Sequence, residues 1–288
     1  MTGVTLDAYL RGRALRPNPS APWRVEYRHA EGGYWTLLAD PAREAAARDE
    51  VLAVGGALGH GDMVRLRASK GDIRGFWVVT AHGLVDAGKV PSKLGRHGWD
   101  WETAWEGRQA EADALLRQAS AVHDKRRLLA ACDCAETALR FVPPGEVRPR
   151  DAIETARRWV RREASLAEVR RAAIAAASAA VDTGDDDAAE AASRAAASAA
   201  DAVASRAPAP VAAGASSSAA AAAAARASEE AADRAPPEAN ADVIAWVAHR
   251  DARQQARRAL SSIVRRQVPL SVVLLARAGE PTPPDAAL

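Results

Sequence analysis

The stretch Leu128-Leu-Ala-Ala-Cys-Asp-Cys-Ala-Glu-Thr-Ala-Leu-Arg-Phe-Val-Pro-Pro-Gly-Glu-Val-Arg-Pro-Arg-Asp-Ala-Ile-Glu-Thr-Ala-Arg-Arg-Trp-Val160 decides how the rest of the chain is read. Leu128, Leu129, Cys132, Ala135, Leu139 and Val142 recur at steps of three and four, which gives one apolar face to a helix. Pro143-Pro144-Gly145 ends it, because proline cannot continue the hydrogen-bond ladder and glycine frees the turn. A second helix starts at Arg148-Pro149-Arg150-Asp151. Proline sits well where amides have no internal partner, and Asp151 meets the positive end of the helix dipole. Ile153, Ala156, Trp159 and Val160 renew the apolar stripe. The short connection predicts an antiparallel αα-hairpin. Asp133, Cys134, Glu136, Arg148, Pro149, Arg150 and Trp159 form its structural motif. Two readings compete: the same residues present charge to a partner, or, as favoured at a hairpin base that needs register, Arg148 or Arg150 reaches back to Asp133 or Glu136 and sets the helix crossing, an ion pair that specifies geometry more than it stabilises.

Downstream lies an alanine-rich array: Leu166–Val181, Asp185–Ser205 and Ser216–Asp233. Alanine has the highest helix propensity but buries little area per turn. Asp182-Thr-Gly-Asp-Asp-Asp187 separates the first two segments, with Gly184 as a stop and aspartates at the next helix start. Residues 206–218 read as a low-complexity linker, and the polyalanine run Ala219–Ala225 carries no amphipathic signal. A last helix is expected from near Ala241 to about Arg266. Trp246, His249, Ala256, Leu260, Ile263 and Val264 occupy one arc, and Arg250, Gln254, Arg257, Arg258 and Arg265 the adjoining one. Pro269 ends that helix; residues 269–288 read as a C-terminal tail in which Val272, Val273, Leu274 and Leu275 are expected to cover a hydrophobic end and Glu280–Leu288 to be disordered.

Upstream, Trp23, Val25 and Tyr27 alternate with charged residues, a half-buried strand, and Tyr34–Leu38 reads as its return. Asp40-Pro41 marks a helix start and Gly55-Gly56 its end; Met63–Ala68 and Gly75–Ala81 make a second hairpin. The fold class is therefore an α+β module, ββαββ, over residues 1–95, followed by a larger all-α domain over residues 96–268. Residues Gly83–Gly98 read as a linker into Trp99-Asp-Trp-Glu-Thr-Ala-Trp105. Trp101 and Trp105 share a helix face, either as an anchor for the first long helix or as a partner-binding spot.

Composition excludes several function classes. A net charge of +2 over 288 residues drives the chain onto neither nucleic acid nor membrane. The longest strongly apolar run, Val268–Ala276, is far short of the ~20 residues of a membrane helix. Met1–Ser20 has no apolar core of a secretory signal. The 2 cysteines make no disulfide framework, so the expected compartment is the reducing cytoplasm. Cys132 and Cys134 lie about 200° apart around a helix and cannot grip one metal. The 6 histidines form no helical His-x-x-x-His pair, and Gly55-Gly56-Ala-Leu-Gly59 is no phosphate loop. The expectation is no catalytic set, no metal and no cofactor, with Trp101, Trp105, Arg250, Arg257 and Arg258 as the residues for a protein partner.

The run Ala131-Cys-Asp-Cys-Ala-Glu136, then Arg148-Pro-Arg-Asp-Ala-Ile-Glu-Thr-Ala-Arg-Arg-Trp159, then an alanine-rich array, resembles the Imm5-like immunity proteins. The likeness is clear from Leu128 to Val181 and looser to about Gln267, with the N-terminal hundred residues outside it. These all-helical proteins come from bacterial polymorphic toxin systems. The resemblance implies a non-enzymatic interaction protein that neutralises a cognate toxin by binding it. Two other readings stand beside it: a phage or prophage accessory or structural protein on the same scaffold, and a nucleic-acid-binding protein using the arginine face of the last helix. A nucleic-acid role is the least favoured, because no aromatics interleave with those arginines for base stacking.

Overall fold

The structure, a computed structural model, describes residues 21–28, 35–68, 73–80, 83–86, 105, 111–122, 124–205, 208–237 and 239–277. The chain divides into two units, residues 1–106 with 269–287, and residues 107–268.

The first unit is an antiparallel sheet with helices. Strands β1 (Trp23–Arg28), β2 (Thr36–Ala39), β3 (Met63–Ala68), β4 (Ile73–Thr80) and β5 (Gly83–Asp86) lie in the order β2-β1-β3-β4-β5. Helix α1 (Glu44–Gly55) joins β2 to β3. Alternation in β1 and β3 sends Val25, Val64 and Leu66 to one face, where Ala47, Val51 and Val54 of α1 close the core. The register pairs Arg65 with Glu26 and with Phe76, so these three share the opposite face. There Arg65 Nε donates to Glu26 Oε2 at 2.6 Å. Its guanidinium also lies 4.2 Å from the Trp35 ring centre, and Trp35 meets Phe76 edge-on. Paired on one side and stacked on the other, this arginine stays buried at modest cost.

The expected α+β module is present, with three differences of detail. Helix α1 begins at Glu44 rather than Asp40, and Arg43 at its N-cap makes no side-chain cap. Gly83–Asp86, read from sequence as linker, adds a fifth strand. Gly83, at φ +110°, opens this strand opposite Thr80, whose Oγ1 donates to the Gly83 carbonyl. Gly55 then matters, since a Cβ there would collide with Leu84 of β5. Pro269 ends the long helix as expected, but the residues after it form another, α9 (Leu270–Arg277), which packs against β4. Leu270, Val272, Val273, Leu274 and Leu275 are all buried, so only residues 278–288 of the expected tail lie outside the described residues. Four consecutive branched apolar residues are too costly to leave in water.

The second unit is helical: α2 (Ala112–Gln118), α3 (Asp124–Glu136), α4 (Arg148–Val160), α5 (Leu166–Asp182), α6 (Asp187–Ala204), α7 (Pro208–Asp233) and α8 (Ala241–Gln267), with short 3-10 turns at Ala119–Ala121 and Leu139–Phe141. The hairpin of α3 and α4 forms as read, with Gly145 at φ +91° in the turn and Pro149 in the first turn of α4. Helix α4 closes in a Schellman motif: Glu163 N donates to Arg158 O and Arg162 N to Trp159 O, with Arg162 in the left-handed region at φ 65°. Ser165 and Glu168 then make a reciprocal capping box for α5. Hydrogen bonds from Ser165 hold the Glu168 carboxyl below its usual range. Asp186 caps α6 by accepting from Ala189 N, and Asn240 caps α8 by accepting from Val243 N.

The linker expected at residues 206–218 is corrected from 208 onward, residues 206 and 207 lying outside the described residues: Pro208–Asp233 is one continuous helix of 26 residues. Pro208 and Pro210 fall in its first turn, where no intrahelical donor is lost. Ser216 Oγ turns inward to the Ala213 carbonyl, which satisfies the hydroxyl within the helix. Ala212, Ala213, Ala215, Ala219 and Ala220 are buried, and the neighbouring α6, on which this helix packs, buries small residues too: Ala188, Ala192, Ala195, Ala196 and Ala199. A Cβ on Gly214 would touch Ser198 at 3.7–3.8 Å, ordinary contact distance. Small side chains thus let α6 and α7 approach closely, and tertiary packing settles a segment whose Pro, Gly and Ser suggest a loop.

Candidate functional site

The polar residues of the hairpin come together, with partners other than those expected. Asp133 and Glu136 stand one turn apart on α3, and the arginine that reaches them is Arg157, from the second half of α4. Its Nη2 donates to Asp133 Oδ1 at 2.8 Å and to Glu136 Oε2 at 2.6 Å. Arg148 turns instead to Glu146 and, at 2.8 Å, to Asp182 at the end of α5. Arg150 is exposed. The correction is geometric. Arg148 opens α4 beside the turn and captures the nearest carboxylate, Glu146, whereas Arg157 lies two and a half turns on, level with the middle of α3. The Arg157 position was inside the quoted stretch, but spacing alone favours the arginines closest to the turn.

Asp133 is a junction. Its second oxygen accepts from Gln267 Nε2 at 2.7 Å and lies 3.6 Å from Arg266 Nη2, so the end of α8 meets α3 here. Arg126 Nη1 also donates to the Gln267 carbonyl, one of the carbonyls a helix C-terminus leaves open. The next residue, buried Arg127, directs Nη1 at the carbonyls of Ala119, Ser120 and Val122 and so closes the end of α2. These contacts fix helix crossings. Trp159, the last member of the motif, is half-buried near the end of α4.

Cys132 and Cys134 are both fully buried. Burial pushes the Cys132 thiol up to about 12 and raises that of Cys134 too, aided by the neighbouring Asp133 carboxylate. Neither is available as a thiolate nucleophile at neutral pH.

Of the residues expected to meet a partner, Trp101 lies outside the described residues, and Trp105 is fully buried. That burial keeps the large apolar area of Trp105 out of water and away from any partner at the surface. Arg257 turns inward, with Nη1 2.9 Å from Glu111 and Nη2 4.0 Å from Asp113, tying α8 to the start of α2. Arg250 and Arg258 are exposed. Trp246, placed by sequence on the apolar arc of α8, is 61% exposed, and the Arg250 guanidinium lies 5.2 Å from its ring centre. The reason is reach: α8 runs for 27 residues, and its fully buried positions, Leu260, Ser261 and Val264, all fall in its second half. Sequence periodicity marks a face as apolar without saying where along the helix a neighbour stops covering it.

Two further surfaces escape sequence reading. A groove of about 480 Å³ runs between α5 and α6, with Ala173, Ala177, Ala197 and Ser198 as small side chains, Ile174 on one wall, and Arg170 and Asp201 also lining it. Ile174 is 67% exposed and Val181, two turns on, 81%. A smaller groove of about 340 Å³ lies where α6, α7 and α8 meet, lined by Asp187, Glu190, Glu229, Arg194 and His249 among others. No single helix among the described residues is long and apolar enough to cross a membrane.

No curated protein and no solved structure matches the chain. The helical array from the turn after α2 to the end of α7 is nevertheless similar in sequence to a known family. Residues 119–235 match the family described as Imm-5 like putative immunity protein, with the N-terminal module outside the match.

Proposed function

We propose that this chain is a non-enzymatic interaction protein that neutralises a bacterial toxin by binding it, and that the helical unit carries the contact. The observation that supports this most is the match over residues 119–235, which coincides with α3 to α7 and their packed core. Neutralisation by occlusion requires only a complementary surface held rigid. The alanine-lined core and the Asp133–Arg157–Glu136 junction provide that rigidity.

The groove between α5 and α6 is the face we assign to the partner. It lies inside the matched segment, it offers close approach over small side chains, and it has the exposed apolar Ile174 on its wall. An amphipathic helix seated on such a groove is a common recognition mode. The test is co-expression with the product of a toxin gene adjacent to this one. Growth should be rescued and a complex recovered. Ile174→Asp should abolish both while leaving stability within about 0.5 kcal/mol, as surface substitutions do. Full toxicity in the presence of the folded wild-type chain, with no complex formed, would end this reading.

The nucleic-acid alternative is weakened by the geometry of α8. Arg257 is engaged by Glu111 and Arg250 by Asp251, so the arginine face is partly neutralised from within.

A further inference from the structure

Helix α8 carries a surface that the matched segment does not include. In its first half, Val243, Trp246 and Val247 are 55%, 61% and 37% exposed, and Arg250 completes the same face at steps of three and four. Asp242 and Arg250, both exposed, stand four residues before and after Trp246. That symmetry of opposite charges about one large aromatic is the pattern of an isologous interface, in which the same patch must complement itself.

We propose that the chain self-associates through this face, two copies of α8 crossing antiparallel at Trp246. In that arrangement the two indoles meet at the centre, with Val243 and Val247 packed around them. Each Arg250 comes beside the Asp242 of the other copy, so the charge pair forms twice. A parallel pairing would set Arg250 against Arg250 and Asp242 against Asp242, and like charges disfavour it. The helix dipoles also oppose favourably only when antiparallel. Arg250 bonds Asp251 within its own chain at 2.8–2.9 Å, but both are more than half exposed, and a guanidinium has donors to spare. The patch comprises a handful of side chains against the roughly 20–30 residues a side of a standard interface, so the dimer is a weak, concentration-dependent one. Because α8 begins after residue 235, such pairing leaves the matched segment free to meet a different protein.

The test is sedimentation velocity and light scattering of the full chain over a concentration series. A monomer–dimer equilibrium is expected. Trp246→Ala should weaken it by about thirtyfold or more, the effect of losing an interface hot spot. Asp242→Arg and Arg250→Asp should each weaken it, and the double variant Asp242→Arg/Arg250→Asp should restore it. Circular dichroism should show the helical signal intact in all of them; if Trp246→Ala fails to fold, the charge exchange alone decides. A wild-type chain that stays monomeric at its highest soluble concentration overturns the proposal. So does self-association indifferent to Trp246→Ala, and so does a double variant that stays as weak as the single ones.

Discussion

Asp133 accepts hydrogen bonds from two other helices, and its worth depends on how far water is excluded. The side chains of Asp133 and Arg157 are 18% and 23% exposed, whereas Glu136 is 54% exposed. Arg157→Ala should therefore cost about 1–2 kcal/mol, between the value of a surface pair and that of a buried charged hydrogen bond. In a thermal-unfolding double-mutant cycle, Arg157 should couple strongly to Asp133 and weakly to Glu136. Equal coupling would mean that the two carboxylates are equally solvated in solution. The cysteines give a second measurement at this scale. With the Cys132 thiol pushed up to about 12, both should resist thiol reagents at pH 8 until the chain is unfolded. The sign for stability follows: the folded state holds these protons more tightly than the unfolded one. The contribution is fully present below the ordinary thiol range and is lost as pH rises through it toward 12. Rapid labelling of native protein would show that α3 opens locally.

Helix α7 shows how an element can be decided by its neighbour. Its sequence has two prolines, a glycine, three consecutive serines and seven consecutive alanines, and no clear amphipathic stripe. It is helical because the prolines fall in the first turn and because α6 presents a matching row of small residues. Gly214 then stands in a helix interior with room for one methyl, its Cβ position 3.7 Å from Ser198 Oγ. Gly214→Ala should raise stability by about 0.5–1 kcal/mol, through propensity and the lower entropy of the unfolded chain. A loss measured by denaturant titration would mean that α6 and α7 pack closer than van der Waals contact at that point.

At the scale of the whole molecule, the two units differ in what holds them. The N-terminal sheet closes over Val, Leu and aromatic side chains, while the helical unit relies on many alanines and a few polar junctions. A fragment of residues 107–268 should be soluble and strongly helical by circular dichroism, with a cooperative melt, since α5, α6 and α8 carry their own N-caps and the unit has its own core. A fragment that is unfolded while the full chain is folded would show that the helical core is completed from outside.

Much of the chain was legible from its residues. Alternation at Trp23, Val25 and Tyr27, the Pro143-Pro144-Gly145 break, Pro149, Gly184 and the aspartates after it each carry their structural meaning locally. Strand, turn, cap and stop depend on a few neighbouring residues, so the α+β module and the α3–α4 hairpin could be read directly. Tertiary structure alone decided the rest. That Arg157 rather than Arg148 meets Asp133 depends on where two helices lie level with each other. That residues 208–218 are helical depends on α6, and that the residues after Pro269 form a buried helix depends on the sheet they pack against. That Trp246 stands in solvent depends on where burial along α8 stops. The physical reason is common to all of these. Propensity and periodicity act over a turn or two, whereas burial and pairing are properties of segments that sequence separates and only the fold brings together.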